Sequence, residues 1–147
     1  AVQEQGCRVL RNLGANDENK VAIAQAGGIQ AVMRAMEGHP TSAAVQEHGC
    51  RALTNLGANG DNKVAIAQAG GIQAVLRAME GHPTSAAVQE QGCRALNRLG
   101  DNGENKVAIA EAGGIQAVMR AMERHPTSAA VQEQGCRVLR NLGANDE

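Results

Sequence analysis

The sequence predicts an all-α solenoid of three-helix repeats, and three observations predict it. The first eighteen residues, AVQEQGCRVLRNLGANDE, return letter for letter at residues 130–147. The string VQE begins at Val2, Val45, Val88 and Val131, with a constant period of 43 residues. Inside each period, apolar residues recur at helical spacing and are interrupted by a Gly-Gly pair and by a proline. Copies at 1–43, 44–86 and 87–129 carry the same residue at 33 of 43 positions, and one eighteen-residue remainder completes the chain. Self-similarity at this period is the signature of stacked helical units, each hiding its apolar side against the next.

The elements of one copy follow in order. NKVAIAQAG reads as a short helix, with Val21, Ala22 and Ile23 supplying apolar surface and Asn or acidic residues before it as caps. Gly27-Gly28 breaks that helix. IQAVMRAME then places Ile29, Val32, Met33 and Met36 at the i, i+3, i+4, i+7 spacing of one buried face. GHP ends it, with Gly38 as a left-handed cap and Pro40 unable to continue the helix. Thr41 or Ser42 caps a longer third helix, AAVQEHGCRALTNLG, whose stripe is Val45, Gly49, Ala52, Leu53 and Leu56, and Gly57 stops it. The chain is therefore read as one solenoid domain, 1–147. It comprises a lone third helix at 1–14, three-helix repeats at 15–57, 58–100 and 101–143, and a tail at 144–147.

Composition narrows the function. The chain has no Trp, Tyr or Phe, so its core must rely on close approach of small-faced helices. Fourteen basic and fifteen acidic side chains give a net charge of -1, which disfavours nucleic acid, whose partners need a cationic surplus. No apolar run approaches the ~20 residues of a membrane span, and no signal-peptide pattern is present. The chain does not open on Met, which points to a processed polypeptide or a window of a longer array. If it is natural, reduced cysteines and the missing signal predict a cytoplasmic protein.

NKVAIAQAGGIQAVMRAM and VQEHGCRALTNLGAN resemble the armadillo repeat over the whole chain. The Ala-Gly corner and the LxNL end of the third helix are the most diagnostic parts. The resemblance implies a right-handed α-solenoid with the third helices lining its concave face, and non-enzymatic binding of protein or peptide. It also implies that positions i, i+4 and i+8 of each third helix face the groove. These are Glu4, Arg8 and Asn12; Glu47, Arg51 and Asn55; Glu90, Arg94 and Arg98; and Glu133, Arg137 and Asn141. Peptide-binding armadillo proteins carry Trp at the middle position and Asn at the last. Here Asn12, Asn55 and Asn141 match the Asn rung, Arg98 breaks it, and Arg stands at every Trp position. Cationic peptides would meet Arg where they need rings. Glu four residues before Arg is the favourable helix order, worth ~0.2–0.5 kcal/mol. The carboxylates thus compete with an acidic ligand, favouring a self-paired, solvated face over a specific groove.

Other candidates read as structural. Cys7, Cys50, Cys93 and Cys136 share one phase; helices pack about 8–10 Å apart, beyond the ~7 Å limit for bridged Cα atoms, so packed thiols are expected. No C-x-x-C and no His at ligand spacing from Cys occurs, so no metal or cofactor is expected. His39, His82 and His125 precede proline and read as turn residues, and His48 as a surface substitution. The double glycines lack the Lys-Ser/Thr of a phosphate loop. Ser42, Ser85 and Ser128 lack an acid–base partner, so no enzyme is predicted. Differences between copies (Arg11/Thr54/Asn97, Ala15/Ala58/Asp101, Asp17/Gly60/Gly103, Gly38/Gly81/Arg124) are expected at solvent-facing or corner positions, with a mild core change at Met33/Leu76/Met119. Near-identical copies point to a consensus-derived or engineered array, or a recent duplication. Atypical end repeats are not evident, so the alternative function is a self-assembling element that associates through uncapped end faces.

Overall fold

A computed structural model of the chain describes residues 2–13 and 17–144, with side chains at all of these except 10–13 and 17. Among the described residues the structure is entirely helical: α1 (Val2–Leu13), α2 (Asp17–Gln25), α3 (Gly28–Gly38), α4 (Ala43–Leu56), α5 (Gly60–Gln68), α6 (Gly71–Gly81), α7 (Ala86–Leu99), α8 (Gly103–Glu111), α9 (Gly114–Arg124) and α10 (Ala129–Gly143). The third helices α1, α4, α7 and α10 pack consecutively and form the spine of the stack.

Each boundary has a local cause. Asn59 and Asn102 cap α5 and α8 by accepting from the backbone N–H of Asn62 and Asn105, both at 3.1 Å. Gly27, Gly70 and Gly113 adopt φ of 88°, 90° and 91°, a left-handed corner that only glycine enters without strain. Ser42, Ser85 and Ser128, rather than the threonines, cap the third helices by accepting from Val45, Val88 and Val131 N–H at 3.2 Å.

The buried stripes match the helical spacing. Ile29, Val32, Met33 and Met36 of α3 are buried, as are Val45, Gly49, Ala52, Leu53 and Leu56 of α4. One continuous cluster then runs from Ile29 to Val138. What the next repeat adds is visible in α10. Leu53, Leu56, Leu96 and Leu99 are fully buried, whereas Leu139 and Leu142, with no described helix beyond them, are half-buried. Where second and third helices cross, a Cβ on Gly49 would lie 2.6 Å from Met36 Cγ and Sδ. Gly92 against Met79 and Gly135 against Met122 repeat the crossing.

Several expectations are corrected. In the short first helices isoleucine supplies the fully buried apolar side chains, Ile66 and Ile109, and alanines such as Ala65 and Ala108 pack beside them, while Val21 and Val107 are 38% and 57% exposed. Gly38 is not a left-handed cap. Helix α3 runs through it, and His39, at φ -132° and ψ 56°, ends the helix. Arg124 therefore fits the same place in α9 without strain. His48 is not on the open surface; its side chain is 13% exposed and its Nε2 lies 3.9 Å from Glu4 Oε1. Thr54 is buried and donates to Cys50 O at 2.9 Å, so that variable position is not solvent-facing. Met119 is 49% exposed, unlike buried Met33. Cys7, Cys50 and Cys93 are packed thiols, but Cys136 is exposed because no described third helix covers that side of α10. Arg11, Ala15 and Asp17 lie outside the described residues or side chains.

Three sets of polar residues identical in every copy tie the stack together. Gln46 Nε2 donates to Met36 O and His39 O, at 3.0 and 2.9 Å; it satisfies the Met36 carbonyl at the end of α3 and shares the His39 carbonyl with the Ser42 N–H. Gln89 and Gln132 repeat this. Asn62 Nδ2 donates to Leu56 O at 3.0 Å and across the repeat boundary to Lys20 O at 3.2 Å, and Asn105 does the same to Leu99 and Lys63. His82 and His125 are more than turn residues. Their Nε2 atoms lie 2.8 Å from Pro40 O and Pro83 O of the preceding repeat. A carbonyl only accepts, so Nε2 carries the proton.

Two predictions follow from this packing. Gly49→Ala forces Met36 to move and should cost about 1–3 kcal/mol in urea denaturation. Gly6→Ala, with nothing within 4 Å of the added Cβ, should be stabilising by up to about 1 kcal/mol through helix propensity; equal costs at the two sites would contradict the crossing geometry. Burial pushes the Cys50 thiol from 9.0 up to about 12, with the neighbouring Cys93 adding to it, and burial alone raises Cys93 to about 12. The unfolded chain loses these protons first. The thiol contribution is thus complete below pH 9 and declines as pH rises from 9 toward 12, by at most ~1.4 kcal/mol per pH unit per thiol. Urea midpoints should fall between pH 7.5 and pH 10, and less steeply when Cys50 and Cys93 are both alanine. An unchanged slope in that variant would remove the thiols as the cause.

Candidate peptide-binding face

The twelve candidate residues sit on α1, α4, α7 and α10, in the same phase on each. Consecutive packing of these helices makes the column continuous from one repeat to the next. Glu47, Arg51, Asn55, Glu90, Arg98 and Asn141 are half-buried, and Arg94, Glu133 and Arg137 are exposed. On α1, Glu4 is half-buried and Arg8 exposed, while the Asn12 side chain lies outside the described residues.

Each complete repeat pairs its own charges. Glu47–Arg51, Glu90–Arg94 and Glu133–Arg137 approach to 3.5, 3.0 and 2.8 Å, all as i,i+4 pairs. Such solvent-reached i,i+4 pairs contribute only about 0.3–0.5 kcal/mol each, so a ligand can displace them at little cost. Glu4 faces His48 of the next third helix instead.

The last rung differs by repeat. Asn141 Nδ2 donates to Asn97 O of the preceding repeat and to Asp101 Oδ1 at the start of its own, both at 3.0 Å, with Asn97 Oδ1 at 3.3 Å. Its amide hydrogens are thereby engaged within the stack. Arg98 lays its stem across the end of α4, with Cγ 3.5 Å from the place a Gly57 Cβ would take. Asn55 is half-buried at the same phase.

The chemistry available is recognition. Carboxylates accept from peptide N–H groups and guanidinium groups donate to carbonyls. Among the described residues, no three His, Cys, Asp or Glu side chains gather as a metal site, and no helix is long and apolar enough to cross a membrane. Among the described residues, Val2, Val9, Val107 and Met119 are exposed apolar side chains, the first two on α1 beside Glu4 and Arg8.

The recurrence of the column residues at one phase was readable in the sequence, whereas the Gln46 bonds within a repeat and the Asn62 and His82 bonds between repeats were missed. Their signal was present: each is a polar residue unchanged in every copy, beside positions that vary.

Stacked helix triplets with a polar third-helix column define a helical-repeat scaffold. A family model described as the LRRK2 ARM repeat matches residues 1–146, and the chain belongs to the armadillo repeat family. No curated protein matches it. Among solved structures it is similar to the crystal structure of an engineered protein from the Northeast Structural Genomics Consortium, at 28% identity and a TM-score of 0.83. That match covers 96% of this chain, which spans 56% of the engineered one.

Proposed function

We propose that the chain is a protein-interaction scaffold whose third-helix face binds an extended peptide. The observation that carries this reading is the recurrence of Glu47/Arg51, Glu90/Arg94 and Glu133/Arg137 at one phase on consecutive helices. Adjacent helices stand about 8–10 Å apart, so one pair meets every second or third residue of an extended chain rising about 3.3 Å per residue. Each pair offers an acceptor and a donor, the complement of the donor and acceptor that every peptide unit carries. Arg in place of rings selects against ligands read through lysine and arginine stems. The armadillo relationship supports a binding role, and its fold is a scaffold type.

A peptide-array screen followed by NMR titration of the whole chain tests this. Array binders should shift the amides of Arg51, Arg94 and Arg137 together, and Arg51→Ala with Arg94→Ala should weaken binding about tenfold or more. An array without a specific binder, or binders that leave these amides unmoved, would overturn the proposal.

A further inference from the structure

At the end of α7, inside the third-helix column, copies that agree almost everywhere differ at three positions together. Asn97, Arg98 and Asp101 stand where the preceding copy has Thr54, Asn55 and Ala58, and the following one Arg140, Asn141 and Ala144. The flanking two share a partner. Asn141 Nδ2 donates to Asn97 O and to Asp101 Oδ1, both at 3.0 Å.

That arrangement leaves Arg98 alone. Asp101, three residues on, is the nearest carboxylate in sequence, but it is bonded to Asn141 and forms no ion pair with Arg98. The arginine one turn earlier is already neutralised, because Arg94 Nη2 lies 3.0 Å from Glu90 Oε1. Among the described residues Arg98 is the only half-buried Lys or Arg with neither an ion pair nor a hydrogen bond. A guanidinium carries five N–H donors and never gives up its charge, so partial withdrawal from water leaves that charge uncompensated.

We infer, on the peptide-binding reading of this face, that Arg98 reads a carboxylate. The peptide taken there carries one acidic group beside the end of α7, either an Asp or Glu side chain or a free C-terminus. Charge along the column supports this. Glu47, Arg51 and Asn55 sum to zero, as do Glu133, Arg137 and Asn141, whereas Glu90, Arg94 and Arg98 leave one positive charge. The planar fork of a guanidinium matches the two oxygens of a carboxylate. Its stem is already placed: Arg98 Cγ lies 3.5 Å from where a Gly57 Cβ would sit, so a larger residue at 57 would crowd it. A side chain held in advance loses less freedom when the ligand arrives. At the same boundary the Asn141 amide hydrogens are engaged, so the face offers a cation here in place of a free amide. Asp101 is the negative group nearest in sequence, and its bond to Asn141 occupies an oxygen that would otherwise compete for Arg98.

The probes are short capped peptides of alanine, serine, threonine and glutamine with one glutamate walked along the chain. Each has two counterparts, one with glutamine in place of the glutamate and one with a free C-terminal carboxylate in its place. In NMR titrations of the whole chain, the best acidic peptide should bind about tenfold tighter than its glutamine counterpart. It should shift the Nε–H of Arg98 and the amide of Leu99, and its advantage should shrink as salt is raised. The acidic form that gains more identifies the source of the carboxylate. Arg98→Asn, which installs the residue found at this phase on α4 and α10, should keep the affinity of the glutamine peptide and erase the gain. Equal affinity of acidic and glutamine peptides would overturn the inference, as would a gain that survives Arg98→Asn or acid-dependent shifts at Arg51 or Arg137 in place of Arg98. Peptides that move Arg51, Arg94 and Arg137 without preferring the acid would sink this inference alone. A set that moves none of them removes the wider peptide-binding reading as well.

Discussion

Burial across the repeat boundary is the interaction on which everything else in this molecule depends. A 43-residue copy has no aromatic ring and only a few large aliphatic side chains. Its third-helix leucines lose their water only when the following repeat is in place. The difference between fully buried Leu96 and Leu99 and half-buried Leu139 and Leu142, at equal phase, shows this within one chain. Apolar burial stabilises by roughly 25 cal/mol per Å², so the missing coverage is costly for units this small. Glycine at the crossings of α3 with α4, α6 with α7 and α9 with α10 brings backbones close enough for methionine to fill the space that rings occupy elsewhere. The polar ties use the same boundary. Asn62 to Lys20 and His82 to Pro40 each span 42 residues, so one constant displacement serves every copy.

Much of this fold was legible because periodicity operates at two scales. The 43-residue period gave the architecture, and the i, i+3, i+4, i+7 pattern gave the buried faces of α3 and α4. Legibility failed where the local pattern is weak or the partner is distant. The first helices are too short and too uniformly alanine-rich to show a face, so Val21 and Val107 looked as apolar as the isoleucine beside them. Gly38 and Gly81 invited a left-handed cap, although Arg124 at the same phase already argued against positive φ. The Gln46 and His82 bonds end on backbone carbonyls, which carry no residue-specific signature in sequence.

The candidate face was legible as a column of residues but not as a set of states. Sequence spacing placed Glu47 with Arg51 and Glu90 with Arg94, and their helices are neighbours. Spacing could not show that Asn141 reaches back to Asn97 or that the Arg98 stem covers Gly57, because both depend on the superposition of two repeats. The isolation of Arg98 was equally hidden, because Asp101 three residues on looks like its partner until Asn141 is seen to hold it. A few departures from a near-constant unit thus set one boundary of the solenoid apart.

The most direct measurement is equilibrium unfolding of a series of chains containing one, two, three and four copies of the 43-residue unit. If repeats are stabilised by their neighbours, a single copy is unfolded in water and each added copy raises the unfolding free energy and the denaturant slope by a constant increment. A single copy that folds cooperatively alone, with further copies adding no stability per unit, would contradict the account.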